Sequence, residues 1–339
     1  MSLVNIGVLG VGRIGHMHAT IIARDIPGAR LASVYDIATD HAANVAAELD
    51  TTAARSPEEM FQDPSVDAVA ICSSTDTHID LLVAAAEAGK AVFIEKPLSL
   101  DLADVDRGVA AVQNAGIVAQ VGFNRRFDPS HRQVHEAVSE GAIGDVHLVR
   151  ITSRDPAPPP IEYIKVSGGI FNDMTIHDFD MARYVTGSDV VSVYATGAVR
   201  VDPAIGEAGD MDTAVVVLTH QNGAITTIDN SRQAVYGYDQ RVEVFGSGGM
   251  VGSENPTTTT TIRRDASGSA GSPVPYFFLE RYTQSYRAEW LDFVQAVNGV
   301  KESPVTVLDG RAPLVIGLAA KKSAQEGRPV AISEVDPAR

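Results

Sequence analysis

Apolar residues in the first third of the chain fall in short, mostly unrelieved runs: Val4 to Leu9, Leu31 to Tyr35, Val66 to Cys72, Ala91 to Ile94 and Ile117 to Gly122. Runs of this length, rich in β-branched residues, are the mark of strands buried on both faces of a parallel sheet. Between them the spacing turns helical over His18 to Arg24, Ala42 to Leu49, Ile79 to Ala88 and Asp101 to Asn114. Strand and helix in alternation predict an α/β fold, a doubly wound parallel sheet of the Rossmann type. Past Phe123 the pattern changes. Arg132 to Glu140 reads as helix and Val146 to Ser153 as strand, and Asp155 to Pro160 is too proline-rich for regular structure. Val190 to Thr196, Asp212 to His220, Ala224 to Arg232 and Arg241 to Gly246 alternate apolar with polar, with a Gln221-Asn222-Gly223 hairpin turn between two of them. Strands that follow strands predict an α+β domain with a mostly antiparallel, open sheet. Gly168 to Val185, Tyr282 to Asn298 and Asp309 to Glu326 read as helices, and Asn255 to Pro273, rich in Thr, Ser and Gly, as a mobile excursion.

The 339 residues are too many for one ordinary core, so two domains are expected, 1–122 and 123–339, with the 309–326 helix free to pack back on the first. Charge narrows the possible partners. Lys plus Arg is 27 against 43 Asp plus Glu, a net charge of −16, which repels nucleic acid and acidic membrane surfaces. A single cysteine, Cys72, excludes internal disulfides and cysteine-built metal centres and suits a reducing compartment. The N-terminus enters a strand pattern directly, without a charged and then apolar leader, and no apolar run is long enough to span a bilayer. A cytoplasmic protein is expected.

The first strand ends at Gly10-Val11-Gly12-Arg13-Ile14-Gly15. In a G-x-G-x-x-G turn the first glycine permits the bend and the second admits a pyrophosphate. The third lets the helix pack on the strand, and the helix N-terminus offers unpaired N–H groups to the anion. The second strand ends in Asp36, an acid placed to accept from both ribose hydroxyls and to repel a 2′-phosphate, so NAD is favoured over NADP. Ser73, Ser74, Thr75 and His78 follow the third apolar run, and Glu95 and Lys96 the fourth, at the strand ends where open α/β sheets bind ligands. Lys96 is suited to hold a reacting hydroxyl and offset a developing alkoxide.

Asp173 and His177 are four apart, and at helical spacing they share a stripe with Asp180 and Tyr184, flanked by Met174, Met181, Val185, Ile176 and Phe179. A carboxylate that fixes an imidazole makes a base at neutral pH. A satisfied core histidine, or two ligands of a metal site, are the competing readings. No second histidine pair accompanies them, so no metal is expected. Arg125 and Arg126 could equally be salt-bridged surface residues, and Asp155 and Tyr236 loop decoration.

These motifs together resemble the Gfo/Idh/MocA family of NAD(P)-dependent sugar and cyclitol oxidoreductases. The resemblance runs nearly end to end. It is carried by the glycine turn, Glu95-Lys96-Pro97, Gly122-Phe123-Asn124-Arg125-Arg126-Phe127-Asp128 and Ser153-Arg154-Asp155-Pro156. It continues in Gly168-Gly169 leading to Asp173 and His177, and in Tyr236-Gly237-Tyr238-Asp239. The Arg-Asp-Pro loop and Tyr-Gly-Tyr-Asp resemble the inositol branch. The resemblance implies oxidation of myo-inositol to its 2-keto form by hydride transfer to NAD⁺. Lys96, Asp173 and His177 would then be catalytic, and Asn124, Arg125, Asp155 and Tyr236 would line the polyol pocket. It also implies a homotetramer built on the open face of the second sheet. Asn172 departs from the apolar residue more usual there. Another cyclitol or sugar as substrate, scyllo-inositol or glucose, remains open, as does a non-catalytic sugar or NAD sensor on the same scaffold.

Overall fold

The computed structural model describes residues 2–337. The chain forms two compact units. One runs to Phe127 and takes in Gln284–Ala312; the other comprises Asp128–Thr283 and the chain from Pro313 on.

The first unit is built on six strands, β1 (Val4–Leu9), β2 (Ala29–Tyr35), β3 (Thr52–Ala53), β4 (Ala68–Ile71), β5 (Ala91–Glu95) and β6 (Ala119–Gly122). They are all parallel, in the order β3-β2-β1-β4-β5-β6. Helices α1 (Arg13–Arg24), α2 (Thr39–Glu48), α3 (Pro57–Gln62), α4 (His78–Glu87) and α5 (Leu102–Ala115) make the crossovers. Ile6, Val8, Ala68 to Ile71 and Val92 to Ile94 are fully buried, as continuous apolar runs require. The strand order reverses between β1 and β4, and a crevice at such a switch point is where this fold takes its ligand. Local signals set the helix limits. Asp101 caps α5 by accepting from the N–H groups of Ala103 and Asp104, and Gly116, left-handed at φ 64°, closes it.

The second unit contains α6 (Pro129–Ser139), β7 (Val146–Arg154), α7 (Ile161–Ile164), α8 (Gly169–Asp173), α9 (Ile176–Thr186), β8 (Val190–Ala198) and α10 (Pro203–Glu207). It continues with β9 (Thr213–His220), β10 (Ile225–Ser231), β11 (Asp239–Gly246), β12 (Gly249–Ser253), β13 (Ile262–Asp265), β14 (Gly268–Gly271) and α11 (Phe278–Arg281). After these in chain order come α12 (Thr283–Val297), all but its first residue in the first unit, α13 (Val307–Glu326), divided between the two units, and β15 (Val330–Ala331) in the second. The sheet runs β12-β11-β7-β10-β9-β8-β15. Its neighbours are antiparallel apart from β7 and β10, which pair in parallel, a pairing not foreseen from strand succession. Along β9, Ala214, Val216, Leu218 and His220 are buried while Val215 is exposed. One face of the sheet meets α6 and α9, and the other shows Leu148, Tyr194, Val215, Ile225 and Phe245 to solvent.

Three features differ from the expectation. Most of α12 belongs with the parallel sheet rather than with the second half of the chain, and the division in α13 falls between Ala312 and Pro313. The Thr/Ser/Gly-rich segment holds a short antiparallel hairpin, β13 with β14. The expected helix from Gly168 to Val185 is two helices. The carbonyl of Ile170 accepts from the N–H groups of both Met174 and Thr175. Thr175 Oγ1 lies 2.7 Å from Asn230 Oδ1 on β10. With the Thr175 hydroxyl drawn to Asn230, α8 ends and a new helix starts at Ile176.

Candidate active site

The glycine turn is shaped by what its glycines lack. Gly10 has φ +83°, and a Cβ there would lie 2.6 Å from the main chain of Ser73; at Gly15 it would lie 1.8 Å from the carbonyl oxygen of Gly10. Only glycine fits either place. Gly12 opens on free space, room that a pyrophosphate can enter beside the N-terminus of α1. Arg13 and Ile14 begin that helix. Two side chains pin the turn. Asp36 Oδ2 accepts from the N–H of Val11 at 2.9 Å, while its Oδ1 accepts from Ala38. His41 Nε2 lies 2.8 Å from the Val11 carbonyl. Each Asp36 oxygen keeps a lone pair for a ribose hydroxyl.

Ser73, Ser74 and Thr75 follow β4, and Ser73 Oγ and Thr77 Oγ1 share a hydrogen bond of 2.6 Å. His78 is buried, with its ring nitrogens 2.9 Å from the carbonyl of Pro97 and 3.1 Å from that of Ser73. Burial holds this imidazole below its ordinary value. It thus ties the loop after β4 to the loop after β5, where Lys96 sits. Glu95, expected to face the dinucleotide, turns inward instead: Oε1 lies 2.8 Å from His18 Nε2, and Oε2 accepts from the N–H of Lys96 at 3.1 Å. Asn124 and Arg125 are buried in the turn after β6. Arg126 takes the salt-bridged role, pairing with Asp309 at 3.0 Å. All these residues stand at the carboxyl ends of β1, β4, β5 and β6, neighbours in the sheet.

In the second unit the break between α8 and α9 puts Asp173 at the end of one helix and His177 near the start of the next. They are therefore not four apart on a continuous helical face, and the expected stripe through Asp180 and Tyr184 is not a single ridge. Asp180 is buried, and Tyr184 stacks on His135 with ring centroids 4.0 Å apart. Asp173 is held from two directions. Tyr163 donates to its Oδ1 at 2.8 Å, and Arg232, 1% exposed as a side chain, lies 3.1 Å from its Oδ2. The same guanidinium lies 3.5 Å from Asp210, which fastens the first turn of α8 through the N–H of Ile170. Burial first, and then the Asp173 charge, push the Tyr163 phenol well above its usual value, so it is a donor throughout the physiological range. The negative charge of Asp155 acts in the same direction on Tyr163. Tyr236 belongs to another cluster. Its hydroxyl donates to Asp239 at 2.5 Å and accepts from Arg154 at 3.1 Å.

Tyr163, Arg232 and Asp210 were not found from sequence. The contacts that define them come from residues ten to 59 positions away from Asp173, and no local pattern announces them. Among the described residues no group of three or more His, Cys, Asp or Glu is placed to hold a metal ion, and no helix is long and apolar enough to cross a membrane.

The chain is similar to known proteins over nearly its whole length. A myo-inositol 2-dehydrogenase of Thermotoga maritima is 52% identical over 331 residues, covering 97% of this chain and 99% of its own. A crystal structure of a myo-inositol dehydrogenase from Corynebacterium glutamicum superposes with a TM-score of 0.93 at 39% identity, covering 98% of this chain and 99% of that one. A scyllo-inositol dehydrogenase from Lactobacillus casei, solved with bound NAD(H) and scyllo-inositol, superposes with a TM-score of 0.91 at 30% identity, covering 98% and 100%. Residues 4–123 match the oxidoreductase family with an NAD-binding Rossmann fold, and residues 131–252 match the GFO/IDH/MocA C-terminal domain. With its glycine turn, its Asp36 and its parallel sheet in place, this chain is an NAD-binding oxidoreductase of the Gfo/Idh/MocA family.

Proposed function

We infer that the protein oxidises the C2 hydroxyl of myo-inositol to the 2-keto inositol, with NAD⁺ as the acceptor. The observation that carries this is the end-to-end relation to a myo-inositol 2-dehydrogenase at 52% identity. The open space at Gly12 and the acceptor oxygens of Asp36 suit the pyrophosphate and the adenosine ribose. Bound there, the dinucleotide supplies a carbon that takes up hydride. The chain has to remove a proton. An alcohol C–H gives up hydride readily only as its O–H proton departs, so a base must lie within about 3 Å of the oxygen. In our reading His177 takes that proton. Asp173 serves it from a fixed position, because Tyr163 and Arg232 leave its carboxylate little freedom. Lys96 holds the reacting oxygen and offsets the charge that grows on it. Asn124, Arg125, Asp155 and Tyr236 face the remaining hydroxyls. The enzyme works in the cytoplasm as a homotetramer, joined through the exposed face of the second sheet.

The test is a panel of cyclitols and aldoses with NAD⁺ at alkaline pH, read as NADH absorbance. Myo-inositol is expected to turn over fastest. Faster turnover of scyllo-inositol or glucose would reassign the substrate, and NAD⁺ binding with no NADH from any polyol would return the sensor reading. His177→Ala is expected to lose most of kcat and still bind NAD⁺; near-normal turnover removes the histidine from the mechanism.

A further inference from the structure

We propose that Trp290 and His18 are positioning residues for the dehydrogenation, acting through Glu95 on the main chain of Lys96. This rests on the reading that Lys96 holds the reacting hydroxyl. The sheet ladder ends at the pairing of Glu95 with Gly122, so Lys96 is the first residue that strand pairing does not place. Its N–H is held instead by Glu95 Oε2, at 3.1 Å. Room for that carboxylate exists because the neighbouring strand carries a glycine. A Cβ at Gly122 would lie 3.1 Å from the Glu95 carboxyl carbon, closer than packed atoms ordinarily stand.

The other oxygen, Oε1, is 2.8 Å from Nε2 of His18 on α1, a ring with no exposed surface. His18 Nδ1 lies 2.9 Å from the indole Nε1 of Trp290 on α12. An indole N–H can donate and cannot accept. The imidazole must therefore accept at Nδ1 and carry its hydrogen on Nε2, aimed at Glu95. Because the indole can only donate, Trp290 sets the tautomer of His18 and with it the direction of the His18–Glu95 bond. Phe93, Tyr286 and Trp290 all meet the ring edge-on with centroids 5.1 to 5.6 Å away, so it cannot turn over.

The charge distribution fits the same scheme. Glu289 precedes Trp290 on α12 and is fully buried, and neither carboxyl oxygen has a hydrogen-bond partner among the described residues. Burial first, and then the charge on Glu95, push Glu289 well above the carboxylate range. Glu95, by contrast, is the acid of the pair that two donors hold.

A merely structural network would stabilise the unit without reaching Lys96. The experiment separates the two. Trp290→Phe keeps an aromatic ring beside Phe93 and Phe293 and deletes the N–H, together with part of the indole volume. In that variant amide hydrogen exchange at Lys96 should quicken about tenfold or more, with Val92 to Ile94 unchanged. Nitrogen-15 spectra of the wild type should show His18 as the Nε2–H tautomer. With myo-inositol, Trp290→Phe and His18→Leu should lose about ten- to a hundredfold in kcat, with the KM for NAD⁺ within about twofold. His18→Gln, which retains a donor for Glu95, should recover most of that loss. Unaltered exchange at Lys96, a His18 hydrogen on Nδ1, or lower melting temperatures with kcat intact would each overturn the proposal. If no polyol is oxidised, the dehydrogenase reading fails by itself, while exchange at Lys96 and the His18 tautomer still decide whether the chain exists.

Discussion

Glu289 is a buried acid whose carboxyl oxygens have no partner among the described residues, and its protonation couples to folding. In the folded chain burial, assisted by the Glu95 charge, raises it well above the carboxylate range, whereas in the unfolded chain it titrates near its usual value of about 4.3. Below that value both states hold the proton, and the group is neutral in the stability balance. As pH rises through the interval between the two values, folding must take up a proton that the unfolded chain has released. Stability then falls, by at most about 1.4 kcal/mol per pH unit. Glutamine has the same shape and no proton to exchange. Glu289→Gln is therefore expected to unfold like the wild type near about pH 4.5 and to be the more stable protein at about pH 8, the gap widening between. Denaturant titrations across that range check it, and two parallel stability curves would mean that Glu289 is ionised in the folded protein. None of this was readable beforehand. Glu289 lies in a stretch recognisable only as a helix, and its neighbour Glu95 is nearly two hundred residues earlier in the chain.

At the level of elements the parallel half was the more legible. Strands buried on both faces leave long apolar runs, and β1, β4 and β5 stand within two residues of where those runs placed them. The glycine turn was legible for the same reason, since steric exclusion at Gly10 and Gly15 permits no other residue. The break between α8 and α9 was not. Threonine is tolerated inside helices, and what ends this one is an acceptor 55 residues further on, Asn230, which only the folded sheet brings to Thr175. Arg232 escaped notice likewise, because it closes a strand and meets Asp173 and Asp210 only in three dimensions. The break carries a prediction. Thr175 is fully buried, so Thr175→Val keeps the volume and removes the hydroxyl, leaving Asn230 Oδ1 without its donor. A cost of about 1–3 kcal/mol is expected, seen as a lower denaturation midpoint. Because α9 begins one residue later, at Ile176, His177 should shift too, and kcat with myo-inositol should fall more than the KM for NAD⁺ rises. A Thr175→Ser variant, which restores the hydroxyl, should recover both. Loss of stability with kcat untouched would show that His177 does not depend on how this helix starts.

For the whole molecule, the homotetramer we propose requires copies of a chain with a net charge of −16 to come together. Like charges disfavour association over about 10 Å at 0.1 M salt, so an assembly needs apolar surface to offset them. The second sheet has it. On its uncovered face Phe245 of β11 pairs in register with Leu148 of β7, and Leu148 with Ile225 of β10, giving an apolar row across three strands. Tyr194 on β8 and Val215 on β9 add exposed apolar surface farther along the same sheet, and each of the five is between 39% and 46% exposed. Burial of such a face contributes roughly 25 cal/mol for every Å² removed from water, and a patch this broad is uncommon on a protein that stays monomeric. Leu148→Asp combined with Phe245→Asp places two like charges opposite one another on paired strands, in the middle of the row. If the proposed tetramer is joined there, light scattering should give four chains for the wild type and a smaller species for the pair, with circular dichroism unchanged because neither side chain is in the core. Added salt should strengthen association of the wild type by screening its charge, and should do little for the variant, whose apolar row is interrupted. An unaltered mass in the double variant would move the interface elsewhere on the chain.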